Sequence, residues 1–443
     1  VNPNQLLHAA WKPRVHVPCL EWVERNCWLS ERFTNVPGYY SSRMTPYLRP
    51  LHNWFGDDET RSIACPKGAQ LGFTTMLANL MSYVVCKKPG PGLYITSTVD
   101  NARAWSQREW LSRIDDCAEL KAMKPSSPDA IRILQQDFIS CTIKFTGAQS
   151  ENNLASVPIR YLFADEVDKW PAGALGEAKA RTLSYENVCK KVIGSTCSDE
   201  EGAVWLEWIK STQHHMHVFC PHCKAPQIID FFKHIKWDHD HRDKLGKWNI
   251  EGVKDSTYGE CLHCQGRWEL SQQRDIVHGA EAQRTNEHAS IKDKGLHLPS
   301  TLSPYLSWGD LAAMWLQKKD EPGGRADFFN QYLGLPFSHD EARVADSQLL
   351  AMRRDDYTLG TVPSKDIVAV TFAADPGEKA THWSVYAFEA DGTSYMIDYG
   401  TVLSVEDLLP LLLRLEYPVA GTNLKARPTV GLIDSGWSTE RVY

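Results

Sequence analysis

The chain has 443 residues, 42% hydrophobic and 23% charged, with a net charge of −7. At ~100–200 residues per domain this suits two to four ordinary globular domains, and no apolar run reaches the ~18 residues that would span a membrane. The acidic balance argues against an all-over nucleic-acid coat, so any DNA contact must come from local patches or from a ring of subunits.

The first residues, VNPNQLLHAAWKPR, lack the apolar core of a secretion signal, and a cytoplasmic protein is the default expectation. Residues 1–60 are rich in Trp and Pro and read as a mixed N-terminal segment. From 61 to 204 short apolar strands alternate with helical stretches. GLYITST (92–98), CTIKFTG (141–147), IRYLFAD (159–165) and KVIGSTC (191–197) are the strands, and the alternation predicts an α/β fold with a parallel sheet covered by helices. Residues 205–285 break the rhythm with dense His, Cys and Trp, and 286–364 read as a helical linker centred on WGDLAAMWLQKK (308–319). A strand-first domain begins near 365. IVAVTFAAD (367–375) is a buried-type strand, a hairpin follows with Asp391-Gly392 in its turn, LPLLLRLEY (409–417) is helical, and TVGLIDSG (429–436) is a strand carrying another Asp.

The stretch Lys67-Gly68-Ala69-Gln70-Leu71-Gly72-Phe73-Thr74-Thr75 is a variant phosphate-binding loop. The standard loop, GxxxxGK[ST], wraps phosphates in backbone N–H groups, reaches them with a Lys and holds Mg²⁺ with a hydroxyl. Here Phe73 occupies the Lys slot and Lys67 stands at the first Gly. Thr74 can still ligate Mg²⁺, a helix begins at Thr74, and Lys67 can approach from the other end of the loop. The bland alternative is a Gly-containing strand–helix turn. A second feature favours ATP: the apolar strand Tyr161–Ala164 runs into Asp165-Glu166, one carboxylate for Mg²⁺ and the next to activate or orient a water. Ser195 and Thr196 end the following strand, where they could sense a terminal phosphate. Arg181 is a candidate for completing a neighbour's site, with Lys179 an equal rival and an ordinary surface residue the alternative.

Of the 12 cysteines, Cys220, Cys223, Cys261 and Cys264 form a CxxC…CxxC pair suited to tetrahedral, structural Zn²⁺. His222 and His263 are second-choice ligands. Such a module could contact nucleic acid or protein. Asp375 and Asp434, each near the end of a predicted strand, are candidate carboxylates of a two-metal nuclease. Asp398 reads as structural, and Glu378 and Glu389 are not favoured.

Segments in one order along the chain resemble the large terminase subunits of tailed double-stranded DNA bacteriophages, in the lambda-like branch. They are PGYYSSRMTPYLRPL (37–51), PKGAQLGFTT (66–75), LYITSTVDNARAW (93–105), RYLFADEVDKWP (160–171), GSTCS (194–198), HVFCPHC (217–223), LSPYLSW (302–308), FFNQYLGLPF (328–337), FAADPGEKATHWSVYAFEADGTSYMIDYG (372–400) and LIDSGW (432–437). The displaced Lys with an aromatic in its usual slot is a mark of that branch. The resemblance implies a P-loop ATPase core over 61–204, with 1–60 as its lid and adenine-side segment, and an RNase H-like nuclease over 365–443. ATP, Mg²⁺ (or Mn²⁺ in the nuclease) and structural Zn²⁺ are the implied cofactors. By that match Lys67, Gly72 and Thr74 bind phosphate, Asp165 helps hold Mg²⁺, Glu166 is the catalytic carboxylate, and Ser195 and Thr196 couple hydrolysis to movement. Tyr39, Tyr40 and Tyr47 are candidate rings for the base. The implied partners are double-stranded DNA, the small terminase subunit, the portal protein of the procapsid and further copies of the chain in a ring. The implied location is the host cytoplasm rather than the mature virion. The family's remaining nuclease acid lies beyond the second strand, so the nuclease half is expected to be incomplete here. A helicase-type translocase, or a zinc-stabilised scaffold with an inactive ATPase, are the alternatives.

Overall fold

In the computed structural model, residues 17–32, 34, 36–149, 157–242, 247–337, 357–377 and 380–435 are described. Strands β1 (Ser62–Pro66), β2 (Gly92–Thr96) and β5 (Tyr161–Asp165) are buried along their whole length, and β6 (Lys190–Ser195) nearly so. Continuous apolar strands of this kind need cover on both faces, which is the condition of a parallel sheet between helices. Alternate side chains of β5 divide accordingly. Tyr161 and Phe163 pack in the core that contains α3 (Phe73–Cys86), while Leu162 and Ala164 pack against α5 (Ala174–Ala180) and α6 (Ala203–Ile209). On the α3 side the core also takes in α1 (Cys19–Asn26), α2 (Arg49–Gly56) and α4 (Val99–Trp105).

The remaining strands of this sheet are β3 (Gln135–Asp137), β4 (Thr142–Gly147), β7 (His214–Phe219), β8 (Pro226–Ile228), β9 (Glu281–Arg284) and β10 (Asp293–His297). Their order is β8-β7-β10-β1-β6-β5-β2-β4-β3, with β9 also paired to β7. All neighbours from β7 to β4 are parallel, and the outer pairs are antiparallel. The α/β expectation is met.

Two expected boundaries are corrected. The Cys-rich stretch 205–285 is not a separate module, because β7 and β9 extend the central sheet. Nor are residues 286–364 one helical linker: β10 lies inside the sheet, beside the strand that leads into the phosphate loop. Asp293–His297 reads DKGLH, with two charges and a Gly, so it carries no strand signature of its own and is a strand because of its neighbours. The helix expected near 308 is present as α7 (Trp308–Lys318).

The chain divides into two units, Val1–His339 and Asp340–Tyr443, so the second begins before the expected 365. Its sheet contains β11 (Ile367–Pro376), β12 (Thr381–Glu389), β13 (Ser394–Val402) and β14 (Val430–Ile433) in the order β13-β12-β11-β14. The first three are antiparallel, and β14 returns parallel to β11. Gly392, with φ +92°, takes the turn between β12 and β13.

Candidate nucleotide site and metal centres

The loop after β1 enters on its own hydrogen bonds. Lys67 N–H donates to the Ser195 carbonyl (3.0 Å), Gly68 N–H to Leu298 (2.8 Å) and Ala69 N–H to Gln331 (2.6 Å). Gln70 and Gly72 both take positive φ, +57° and +76°, which turns the chain tightly enough to start α3 at Phe73. Met76 N–H bonds the Gly72 carbonyl at 2.9 Å. The N–H groups of Phe73, Thr74 and Thr75 precede that bond and form the positive first turn that attracts an anion.

Phe73 does not extend toward this anion position. Its ring is 2% exposed and its outer end lies against Gly194 of β6, where a Cβ would fall 2.2 Å from a ring carbon. The Lys67 ammonium stands over the same ring, 5.3 Å from its centroid.

Beside them, the Thr74 hydroxyl donates to Asp165 Oδ2 at 2.9 Å, and the Tyr94 hydroxyl reaches that oxygen at 3.4 Å. The other oxygen, Oδ1, is buried with no hydrogen-bond partner. Burial pushes the Asp165 carboxyl above its usual range, and the Lys67 charge and the Thr74 hydroxyl pull the other way. A buried carboxylate with one bare oxygen, beside a hydroxyl and below a helix N-terminus, fits a small hard cation. Glu166 follows in a left-handed conformation (φ +56°). Its half-exposed carboxylate accepts from Lys169 Nζ at 3.0 Å.

A cavity of about 400 Å³ opens on the far side of the loop, lined by Tyr39, Tyr40, Met44, Leu48, Gln70, Gly72, Thr75 and Tyr305 among others. It is continuous with the helix N-terminus through Gly72 and Thr75, and its apolar walls suit a flat base.

The four paired cysteines converge. Their Sγ atoms all lie within 4.8 Å of one another, with Cys220–Cys264 at 3.8 Å and Cys223–Cys261 at 3.7 Å. Each knuckle closes in the same way: Lys224 and Gln265 take positive φ after the second Cys, and their N–H groups donate to the Cys220 and Cys261 carbonyls at 3.0 and 2.9 Å. N–H donors surround the sulfurs, including His222 on Cys220, His263 on Cys261, Gln227 Nε2 on Cys261 (3.0 Å) and Trp268 Nε1 on Cys220 (3.4 Å). These donors favour thiolate, and Cys261 is drawn down to about 6. His222 bonds the Arg267 carbonyl through Nε2 and lies outside the sulfur cluster.

In the second unit, β11 and β14 run in parallel register with Ala374 beside Ile433. Asp375 is the next residue on β11 and Asp434 directly follows β14, and Asp434 N–H donates to the Ala374 carbonyl (2.9 Å). Ala374 and Ile433 face the core, so the two Asp residues share the opposite, exposed face. Asp398 accepts from the Tyr417 hydroxyl at 2.8 Å, which suits the structural part expected of it.

Residues 34–281 match the family model described as phage terminase large subunit gpA, ATPase domain, and residues 293–443 match the model for the terminase large subunit gpA endonuclease domain. The chain belongs to the phage terminase large subunit gpA family. Similar curated proteins are the terminase large subunit of Escherichia phage lambda, 21% identical over 91% of this chain and 65% of its own length, and that of Enterobacteria phage P21, 21% identical over 94% and 67%. The chain therefore spans about two thirds of these relatives. Among solved structures, the HK97 bacteriophage large terminase aligns with a TM-score of 0.41 and 10% identity, covering 91% of this chain and 71% of the other.

Within this terminase chain, Lys67, Thr74, Asp165 and Glu166 come together, and Ser195 joins them through the Lys67 bond. Thr196 is half-buried just beyond. Tyr47 is placed differently from Tyr39 and Tyr40, which line the cavity. It is fully buried and absent from the cavity lining, and its hydroxyl donates to the Leu71 carbonyl at 3.2 Å, so it props the loop from beneath. Arg181 is not brought to this site: its carbonyl accepts from Ile159, which precedes β5, at the end of that strand opposite Asp165. Lys179 is paired with Glu207 at 2.7 Å. Sequence reading missed Tyr305 at the cavity wall and the segment 297–334 behind the loop. There Gly334, at φ +61°, approaches so closely that a Cβ would fall 2.7 Å from the Lys67 carbonyl carbon. The aromatic LSPYLSW and FFNQYLGLPF stretches were the available signal, but nothing in them points to a contact with residues 67–69.

Proposed function

We propose that this chain is the catalytic subunit of a DNA-packaging motor, hydrolysing ATP to drive double-stranded DNA into a procapsid, with a metal-dependent endonuclease in its second unit that cuts concatemeric DNA. The observation that carries the motor is the Thr74 hydroxyl on Asp165 at 2.9 Å, with Glu166 next in the chain and a helix N-terminus above. The phosphates of ATP lie on the N–H groups of Phe73, Thr74 and Thr75, Lys67 brings its ammonium from the start of the loop, and the base occupies the cavity between Tyr39, Tyr40 and Tyr305. Thr74 and Asp165 would hold Mg²⁺, which when bound would supply positive charge to offset that of the phosphates. Glu166, released from Lys169, orients the attacking water and accepts its proton. A trans-acting cation, Arg181 or another, would come from a neighbouring copy in a ring.

Cys220, Cys223, Cys261 and Cys264 hold structural Zn²⁺. Asp375 and Asp434 hold the nuclease metals, Mg²⁺ or Mn²⁺. The small terminase subunit and the portal protein are the proposed partners, and the host cytoplasm is the proposed location. Among the described residues no helix is long and apolar enough to cross a membrane.

The test is ATP turnover by the full chain, with DNA and portal-bearing procapsids present, beside Glu166→Gln and Thr74→Ala. Turnover in the wild type that is lost in both variants is the expected result. Equal, slow hydrolysis in all three proteins would leave an inactive ATPase and sink the motor reading.

A further inference from the structure

We infer that Asp168 is a positioning residue for ATP hydrolysis, fixing the turn that carries Glu166 against the segment Ser195–Ser198; this rests on the ATPase reading above. Asp168 lies two residues beyond Glu166, in the short turn Val167–Lys169 that closes the end of β5. Neither its sequence context nor the phosphate-loop pattern assigns it a part.

Its hydrogen bonds run to the last residue of β6, to Ser198 beyond it and to the start of α6. Asp168 N–H donates to the Ser195 hydroxyl at 3.3 Å. Its Oδ2 accepts from Ser198 N–H at 2.9 Å and from the Ser198 hydroxyl at 3.0 Å. Its Oδ1 accepts from Val204 N–H at 2.8 Å. The last bond serves as the cap for α6, whose N-cap residue is Gly202 and has no side chain to offer. A helix cap alone would explain that one contact. The other three go to the two serines.

Of the two serines, Ser195 also meets the phosphate loop. The Ser195 carbonyl accepts from Lys67 N–H, and the Ser198 carbonyl accepts from Phe337 N–H. A path of hydrogen bonds thus runs from the phosphate loop, through Ser195, to Asp168, which the chain joins to Glu166 two residues back. Glu166 itself sits in a left-handed conformation that an L-residue holds only when its surroundings enforce it. The Asp168 N–H ties this turn to the end of β6, and its carboxylate ties the turn to Ser198 and to the start of α6.

The carboxylate is matched to its place. It takes three donors on two oxygens, and an amide could offer only one acceptor oxygen to them. Space is tight as well: a Cβ on Gly202 would fall 2.4 Å from Asp168 Oδ2. Gly202 has φ −55°, so alanine is allowed there by the backbone and would press first on the carboxylate, then on Ser198 Oγ at 2.8 Å and the Asp199 carbonyl at 3.0 Å. This provides a variant that displaces Asp168 while leaving every catalytic group in the chain.

The experiment measures steady-state ATP turnover, nucleotide affinity and thermal melting on the full chain, for wild type, Asp168→Asn, Gly202→Ala and Glu166→Gln. Misplacing a reacting group by ~1 Å lowers rate on the order of 100-fold. Asp168→Asn is therefore expected to lose at least about tenfold in kcat, with nucleotide affinity within about twofold of wild type, because the phosphate-binding N–H groups and Lys67 are untouched. Gly202→Ala is expected to show the same split, and it decides the matter alone if Asp168→Asn does not fold. The inference is overturned if a folded variant keeps wild-type kcat, or if kcat and affinity fall together in step with melting temperature, which is the signature of a merely structural cap. If Glu166→Gln turns over ATP like the wild type, the ATPase reading itself has failed. If Glu166→Gln is dead while Gly202→Ala is fully active, only the assignment of Asp168 has.

Discussion

Gly194→Ala tests whether the aromatic in the usual Lys slot is a structural part of the phosphate loop. The added Cβ would meet Phe73 ring carbons at 2.2, 2.4 and 2.9 Å, whereas carbon atoms in contact sit about 3.5–4.0 Å apart. The ring must retreat by roughly 1 Å or more, and at 2% exposure it has little room to do so. Overpacking of this kind costs about 1–3 kcal/mol, which for a large domain lowers melting by about 2–4 °C per kcal/mol. Phe73 is also the first residue of α3, so its retreat pulls the N–H groups of the first turn and the Thr74 hydroxyl away from Asp165. Loss of one charge-assisted hydrogen bond, about 1.5–3 kcal/mol, weakens nucleotide binding about tenfold or more. The measurements are differential scanning calorimetry and a fluorescent-nucleotide titration, with Gly176→Ala as control. Gly176 lies in α5 with nothing within 4 Å of its added Cβ, so that change should be neutral or stabilise by about 0.4–1 kcal/mol. If Gly194→Ala melts and binds nucleotide like the wild type, Phe73 does not hold the loop in this way.

Elemental analysis of the purified chain should find about one Zn per chain. Cys261→Ser should lose it and lower the melting temperature, and a metal-free protein with unchanged melting would count against the site. Burial lowers His52, His214, His215 and His297 to about 4 each. Their folded values lie below the unfolded value of ~6.5, so the unfolded chain takes up protons that the folded chain refuses, and stability that is full above pH 6.5 is lost as pH falls toward 4. Melting followed from pH 7 to 4 should show this decline, and His52→Phe, in a fully buried ring position beside Tyr40, should make it shallower; an unchanged slope would mean that His52 carries its proton in the fold. Asp375→Asn and Asp434→Asn should weaken nucleotide-independent Mn²⁺ binding, followed by calorimetric titration, and leave ATP turnover intact. Joint loss of metal binding and turnover would refute separate sites.

The candidate site residues were legible because each chemistry demands a short, local pattern. Lys67 through Thr74, Asp165-Glu166 and the two CxxC turns are defined by neighbours in the chain, and backbone geometry then presents them whatever lies around. Buried parallel strands were equally plain, since apolar cover on both faces forces a continuous apolar run. The β10 strand was not, because its DKGLH sequence has no such run and its place depends on bonds to β1 and β7. Tyr47 shows the same limit from another side. An aromatic near the loop could face a base or support the loop, and only its burial and the bond to Leu71 decide.

By itself the sequence determined the α/β class, the displaced Lys and its acidic partners, the four-sulfur cluster and the family resemblance. Only the tertiary structure decided that Phe73 packs on Gly194, that Leu298 and Gln331 hold Gly68 and Ala69, and that Asp168 ties the Glu166 turn to Ser195 and Ser198. Those contacts join residues far apart in the chain. Their existence rests on which surfaces the folded sheet brings within a few ångströms, and no local spacing encodes that.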